Sequence, residues 1–337
     1  MLSEVRRRRV WTEFLSPEIL GARETLDLLQ RYQLQPLVAM PPGREGPAMV
    51  EALRSLHEAG VPIGIWPLLS DSEGYWPGSA NAQATASRVH QLLAMARELD
   101  IPLRTIALDL EPRLELKQSV LAMRAAQRLR HLGERFVETA RQVHRQEHQD
   151  AVKVYSQLAT ELRAAQVESL AIAVPPLALD LIAGSEFWQS FLATPLTGPR
   201  WDTQSPMYYR SMIQEALPGK ARLLGRAIFA EACRLWAAQP GPACMSLGVV
   251  GPGKLADEAS YKTPAELAWD VACATAAGLD DLALFSLESV LEREHPGQWL
   301  DAFTQPGDAP LASVRERVAR TSVRGLLRVT GGLTRWL

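Results

Sequence analysis

The sequence predicts a single (β/α)8 barrel, and three observations predict it. Eight short apolar runs recur along the 337 residues. Segments with helical periodicity separate nearly all of them, the pattern of a parallel sheet with crossover helices. No glycine-rich turn follows the first run, which disfavours the competing doubly wound sheet. The length exceeds that of a usual domain, but barrels reach it as one domain.

Taken in order, Arg9 to Phe14 reads as the first strand. Ser16-Pro17-Glu18 then opens a helix to about Tyr32, with a serine cap and proline in the first turn. Leu37 to Met40 is the second strand, stopped by Pro41-Pro42-Gly43, and a helix follows from about Gly46 to Ala59. Val61 to Leu68 is the third strand, and its loop, Leu69 to Ala80, is rich in Ser, Asp, Gly, Trp and Tyr. A helix from about Asn81 to Leu99 leads to the fourth strand, Leu103 to Pro112, bounded by Pro102 and Pro112. Helical pattern runs from Leu114 to Gln166, with Gly133 as a break. Leu170 to Val174 is the fifth strand, closed by Pro175-Pro176, and Trp201 to Tyr209 the sixth. A helix over Gly219 to Ala238, a seventh strand at Cys244 to Val250, a helix at Thr263 to Ala277 and an eighth strand at Leu282 to Leu287 complete the rhythm. The barrel is expected over residues 1–305, with 306–337 as a basic C-terminal tail.

Composition narrows the function. A 47% hydrophobic content supports a large core, and a net charge of −2 gives no general reason to expect a polyanion such as nucleic acid. Cys233, Cys244 and Cys273 are widely spaced and lack metal-ligand spacing. No signal-peptide pattern and no membrane-spanning run is read, so a soluble cytoplasmic protein is expected.

The fourth strand carries the chemistry. Strand side chains alternate, so Thr105, Ala107, Asp109 and Glu111 share one face. Two carboxylates roughly 6–7 Å apart on that face repel each other's charge, which raises at least one pKa and can keep one carboxyl as a proton donor. Barrel active sites lie where strands end. That rule adds Glu13, Asp202, Tyr208, Tyr209, Arg210 and Glu288 as candidates, with Trp66, Tyr75, Trp76 and Phe285 as aromatic neighbours. Flat rings beside hydrogen-bonding acids suit a sugar, with its C–H faces and hydroxyl edges. Asp109, Glu111, Tyr209 and Glu288 are expected at one barrel mouth.

Three strands together resemble the chitinase-type glycoside hydrolases of family 18. Ile106 to Glu111 is similar to the fourth-strand motif ending Asp-x-Glu, Leu170 to Pro175 to the fifth strand, and Ser205 to Arg210 to the sixth-strand Met-x-Tyr-Asp. The resemblance implies that Glu111 is the general acid, that Asp109 orients a substrate acetamido group whose oxygen acts as nucleophile, and that Tyr209 bonds that group. Departures accompany it: Ala107 stands where the family has a further acid, Arg210 where it has an acid or amide, and Phe285 where it has a tryptophan. They motivate one alternative, a sugar-binding barrel without activity. Another is a Mg²⁺-dependent lyase or hydrolase using Asp109, Glu111 and Asp202. No cofactor is otherwise expected.

Three weaker signals complete the reading. Gly248 to Lys254 satisfies Gly-x4-Gly-Lys, but Leu255 replaces the Mg²⁺-binding hydroxyl residue, so a plain turn is the better reading. His144 and His148 fall four apart on a helical segment whose polar neighbours suggest a solvated face. The tail, residues 311–337, sets six arginines against one glutamate amid apolar positions. A last helix explains it; peripheral contact with an anionic membrane or acidic partner is the functional alternative.

Overall fold

Strand β1, Arg7–Thr12, begins two residues earlier than its apolar content suggests, and two of its arginines, Arg8 and Arg9, are buried with partners. Arg9 forms a bidentate pair with Asp281 at 2.9 and 2.7 Å, and Arg8 donates to the carbonyls of Phe303 and Asp280. Charge that would forbid an isolated buried strand is neutralised by residues from the far end of the chain. The structure, a computed structural model, describes residues 7–112, 145–175, 184–216, 221–254 and 258–305, with isolated positions at 134, 138, 177, 180, 307, 320 and 321. Most of the tail and most of the helical pattern before residue 145 lie outside the described residues.

The expected first helix is two: α1, Pro17–Leu20, and α2, Arg23–Arg31. The Ser16 hydroxyl accepts from the Ile19 amide, and a Cβ added at Gly21 would lie a tight 3.1 Å from Ala52 Cα, so glycine eases this approach to α3, Pro47–Glu58. Strand β2, Leu34–Met40, lies between α2 and α3 in the chain. Strand β3, Ile63–Pro67, carries Gly64, where a Cβ would collide with the Leu37 side chain at 2.5 Å. Helix α4, Ala82–Glu98, leads to β4, Leu103–Leu110. Helix α5, Arg145–Ala164, then precedes β5, Glu168–Ala173. The short α6, Phe187–Leu192, precedes β6, Thr203–Pro206. After it come α7, Arg210–Ala216, and α8, Ala221–Ala237, then β7, Cys244–Leu247, and α9, Pro264–Ala276. Strand β8, Asp281–Leu284, is followed by α10, Leu287–Leu291, and α11, Pro296–Thr304.

The strand order is β6-β5-β4-β3-β2-β1-β8-β7, and a parallel bridge between Met207 and Ser246 joins the two ends of that order. Eight strands alternating with helices make a (β/α)8 barrel, as the periodicity predicts. Packing divides the chain into two compact units. Among the described residues, one comprises 7–39, 45–65 and those from 205 to 321; the other comprises 40–44 and those from 66 to 204. The first buries Val10, Phe229, Trp236, Met245 and Leu284, and the second buries Ile106, Leu108, Tyr155, Leu158 and Ile172. Each large apolar side chain buried this way contributes about 1.5–3 kcal/mol. Among the described residues no helix is long and apolar enough to cross a membrane.

Candidate active site

In the second unit, β4 and β5 pair in parallel with Thr105 opposite Glu168 and Asp109 opposite Ile172. The Thr105 and Thr203 hydroxyls donate to the two oxygens of Glu168 at 2.8 and 2.7 Å, so a polar layer ties together the starts of these strands. Alternation carries the Thr105 face forward to Asp109 and then to Glu111, just past the strand. Both acids are buried, at 5% and 8% exposure, while Ala107 between Thr105 and Asp109 is wholly buried.

The loop after β3 lies against Glu111. A Cβ added at Gly78 would stand 3.1 Å from the Ala193 carbonyl oxygen and 3.7 Å from that of Glu111. Asn81 holds this loop in shape: its Nδ2 donates to the Glu73 and Trp76 carbonyls, both at 2.9 Å, and its Oδ1 accepts from the Gly78 amide at 2.8 Å. The buried Tyr155 hydroxyl donates to the Gly78 carbonyl at 2.9 Å. Tyr75 and Trp76 meet edge to face at 5.0 Å, with Tyr75 at a positive φ of 64°. Both rings are buried, as is Trp66 inside β3. The sequence reading found the aromatic residues but missed Asn81, Gly78 and Tyr155. Only Asn81 left a trace, as a polar residue before a long helix.

Asp202 takes a different place from the one expected. Strand β6 begins at Thr203, so Asp202 precedes the strand instead of closing it. Its Oδ2 accepts from the Ser169 amide and hydroxyl at 3.0 and 2.8 Å, and its Oδ1 from Arg163 at 2.9 and 2.7 Å. Burial works against the charge, but these donors outweigh it and hold the carboxyl below its ordinary range. Asp202 therefore joins strand starts, and Asp109 and Glu111 do not gain it as a third metal ligand. His148 also departs from expectation: it is buried, neither ring nitrogen has a hydrogen-bond partner among the described residues, and burial lowers its pKa.

The first unit gathers a second group. Glu288 lies in the first turn of α10 rather than at a strand end. Its Oε1 accepts the amides of Glu13 and Phe14 at 2.8 and 3.2 Å, and its Oε2 is buried. Burial pushes this carboxyl up against the pull of those amides. Glu13 is buried, and its Oε2 accepts the Lys254 amide at 3.1 Å. The neighbouring Gly253 amide donates to Glu258 at 2.8 Å. Two amides of the Gly-x4-Gly-Lys segment are thus held by carboxylates, which supports the plain turn over a phosphate cradle. Gly253 also packs so closely that a Cβ would stand 2.6 Å from Phe285. Phe285 tilts against Tyr209 at 6.1 Å, and Tyr208 is buried beside it in the chain.

Arg210 was expected to touch substrate but is 1% exposed and committed elsewhere. It pairs with Asp270, donates to Gln214 at 2.9 Å and to the Glu266 carbonyl at 3.0 Å, and lies over the rings of Tyr261 and Trp269. Tyr261 donates to the other Asp270 oxygen at 2.5 Å. Burial pushes Asp270 up to about 6, opposed by Arg210 and Tyr261. This cluster fastens α7 to α9. Asp270 was invisible as its partner because it sits mid-helix, sixty residues away in sequence.

No protein-family model matches the chain, and no curated protein sequence matches it. Solved structures match in fold. The glycoside hydrolase domain of PgaB (BpsB) from Bordetella bronchiseptica is 8% identical, with a TM-score of 0.54 over 90% of this chain and 100% of that one. A chitinase from Chromobacterium violaceum is 14% identical, with a TM-score of 0.50 over 90% and 99%. A family 1 β-glucosidase from Thermotoga maritima is 11% identical, with a TM-score of 0.50 over 85% and 89%. The chain has a (β/α)8 barrel fold distantly resembling those of glycoside hydrolases.

Proposed function

We propose that this barrel binds a glycan and cleaves a glycosidic bond, with Glu111 as general acid. The observation that carries the reading is the placement of Asp109 and Glu111: two buried carboxylates on one strand face, where β4 ends, under a loop bearing Tyr75 and Trp76. Strand ends are where barrel enzymes keep their chemistry. The glycoside hydrolases among the fold neighbours support it.

In this mechanism Glu111 gives its proton to the leaving glycosidic oxygen as the C1–O bond breaks, and that oxygen keeps the bonding electron pair. On an N-acetylated sugar, the acetamido oxygen bonds to C1 while Asp109 orients the acetamide and accepts a hydrogen bond from its N–H. Water then opens the ring so formed, returning a proton to Glu111. Ala107 supplies no carboxylate behind Asp109, which favours a second reading, a glycan-binding barrel without turnover.

One experiment separates the two. Glu111→Gln keeps the side-chain shape but removes the ionisable proton. It should lower turnover of aryl glycosides and N-acetylated oligosaccharides by about 10²–10⁴-fold with little change in affinity. Full activity in the purified variant would refute the role of Glu111. A wild-type protein that binds glycans but hydrolyses none establishes the non-catalytic reading.

A further inference from the structure

Helices α8 and α9 pack side by side in the first unit. The rings of Phe229 on α8 and Trp269 on α9 meet at 6.2 Å, tilted by 50°. One turn further along each helix stands a cysteine, Cys233 after Phe229 and Cys273 after Trp269. Barrel helices run in the same direction, so a step of four residues carries both helices to the next layer of the same interface. The thiols meet in that layer: Cys233 donates a hydrogen bond to the Cys273 sulfur, and neither cysteine is in a disulfide.

The two sulfurs differ in access and in charge. Cys233 is wholly buried, whereas Cys273 is 7% exposed. The hydrogen bond from Cys233 lowers the Cys273 pKa, and Arg320 adds to that pull against burial and Asp270. Burial pushes the Cys233 thiol up, so the proton of the pair stays on Cys233. A sulfur that holds its charge and reaches the surface attacks an oxidant first, and a thiol in contact with it resolves the product. Cys244 is buried on β7 beside Asp281 and Ser205, outside this pair.

We propose that Cys233 and Cys273 form a reversible disulfide when the protein meets a peroxide, with Cys273 as the attacking sulfur and Cys233 as the resolving one. In the first step the Cys273 thiolate bonds to one peroxide oxygen and the O–O bond breaks. The leaving hydroxide takes up the proton that Cys273 released and becomes water, and Cys273 is left as a sulfenic acid. In the second step the Cys233 sulfur bonds to the Cys273 sulfur, the S–O bond breaks, and the hydroxyl leaves as water with the Cys233 proton. Two thiols are oxidised and one peroxide is reduced to two waters.

Thiols already in contact on packed helices need little backbone movement to close the bond. The link fastens α8 to α9 next to the Arg210–Asp270 cluster, since Asp270 stands three residues before Cys273. It also closes the loop between residues 233 and 273, which contains β7, and so restricts the unfolded chain. Neither Asp109 nor Glu111 takes part.

The test uses the full-length reduced protein, with hydrogen peroxide as oxidant and dithiothreitol as reductant. Cleavage after Arg226, Arg234, Lys254, Lys262 and Arg293 puts each cysteine on its own peptide, so mass mapping without reductant reads the pairing. The Cys233 and Cys273 peptides should appear linked, two hydrogens lighter than their sum, and should separate with dithiothreitol, while Cys244 stays a thiol. Cys233→Ser should block the link and leave a Cys273 sulfenic acid that dimedone traps; Cys273→Ser should abolish both products. The linked wild type should melt about 5 °C above the reduced form, a shift that Cys233→Ser should lose. A folded wild type that peroxide leaves unlinked, or that links either cysteine to Cys244, overturns the site. A link that forms only once denaturant is added overturns it too, because the fold then does not bring the thiols together. Dimedone capture at Cys233 in Cys273→Ser, with none at Cys273 in Cys233→Ser, overturns the assigned roles.

Discussion

Asn81→Ala tests how the loop beside Glu111 is held. Asn81 is 7% exposed and makes three hydrogen bonds, two from Nδ2 to the Glu73 and Trp76 carbonyls and one to Oδ1 from the Gly78 amide. Alanine removes all three and leaves partners buried in the loop. At about 1 kcal/mol per bond the loss is about 3 kcal/mol, roughly a 150-fold shift in the equilibrium between closed and open loop. Asn81→Asp is the sharper variant, since it keeps the acceptor for Gly78 but turns an oxygen toward the two carbonyls. It should cost at least as much as alanine. Amide hydrogen exchange of residues 69–81 reports the local opening, and denaturant unfolding reports any global share. Protection at Gly78 should fall by about two orders of magnitude while the β4 and β5 amides stay protected. Unchanged Gly78 exchange in Asn81→Ala would show that the hydrogen bonds do not hold the loop.

Three further outcomes are expected. Arg210→Met should destabilise the fold by about 3–5 kcal/mol in denaturant unfolding, because it strands the buried Asp270 charge; a loss below 1 kcal/mol would contradict the fastening role. Burial lowers the His148 pKa below its unfolded value of 6.5, so its contribution to stability is complete above that pH and fades as pH falls through the folded value. His148→Leu should therefore flatten the acid limb of the stability profile below about pH 6.5, and an unaltered limb in thermal unfolding from pH 4 to 8 counts against it. If residues 311–337 form a peripheral anchor, binding to anionic liposomes should fall steeply with salt and vanish on their deletion, whereas absence of binding at low salt leaves only a structural role.

The sequence by itself determined the barrel and the strand that carries the candidate acids. Local hydrophobic pattern encodes both: eight apolar runs became eight strands, and period-two alternation along β4 assigns Asp109 and Glu111 to one face. What only the tertiary structure decided is which polar residues have partners. Arg9 could be read as the start of a strand, but its burial could not be foreseen without Asp281, nor could Arg210 be read as a helix fastener without Asp270, because each partner lies more than fifty residues away. Asp202 was misplaced for a related reason. The few residues separating the start of a strand from its end depend on pairing with a neighbour, and pairing leaves no mark on local composition. Asn81 escaped notice because small polar residues in a loop look alike until the folded backbone shows which carbonyls they reach.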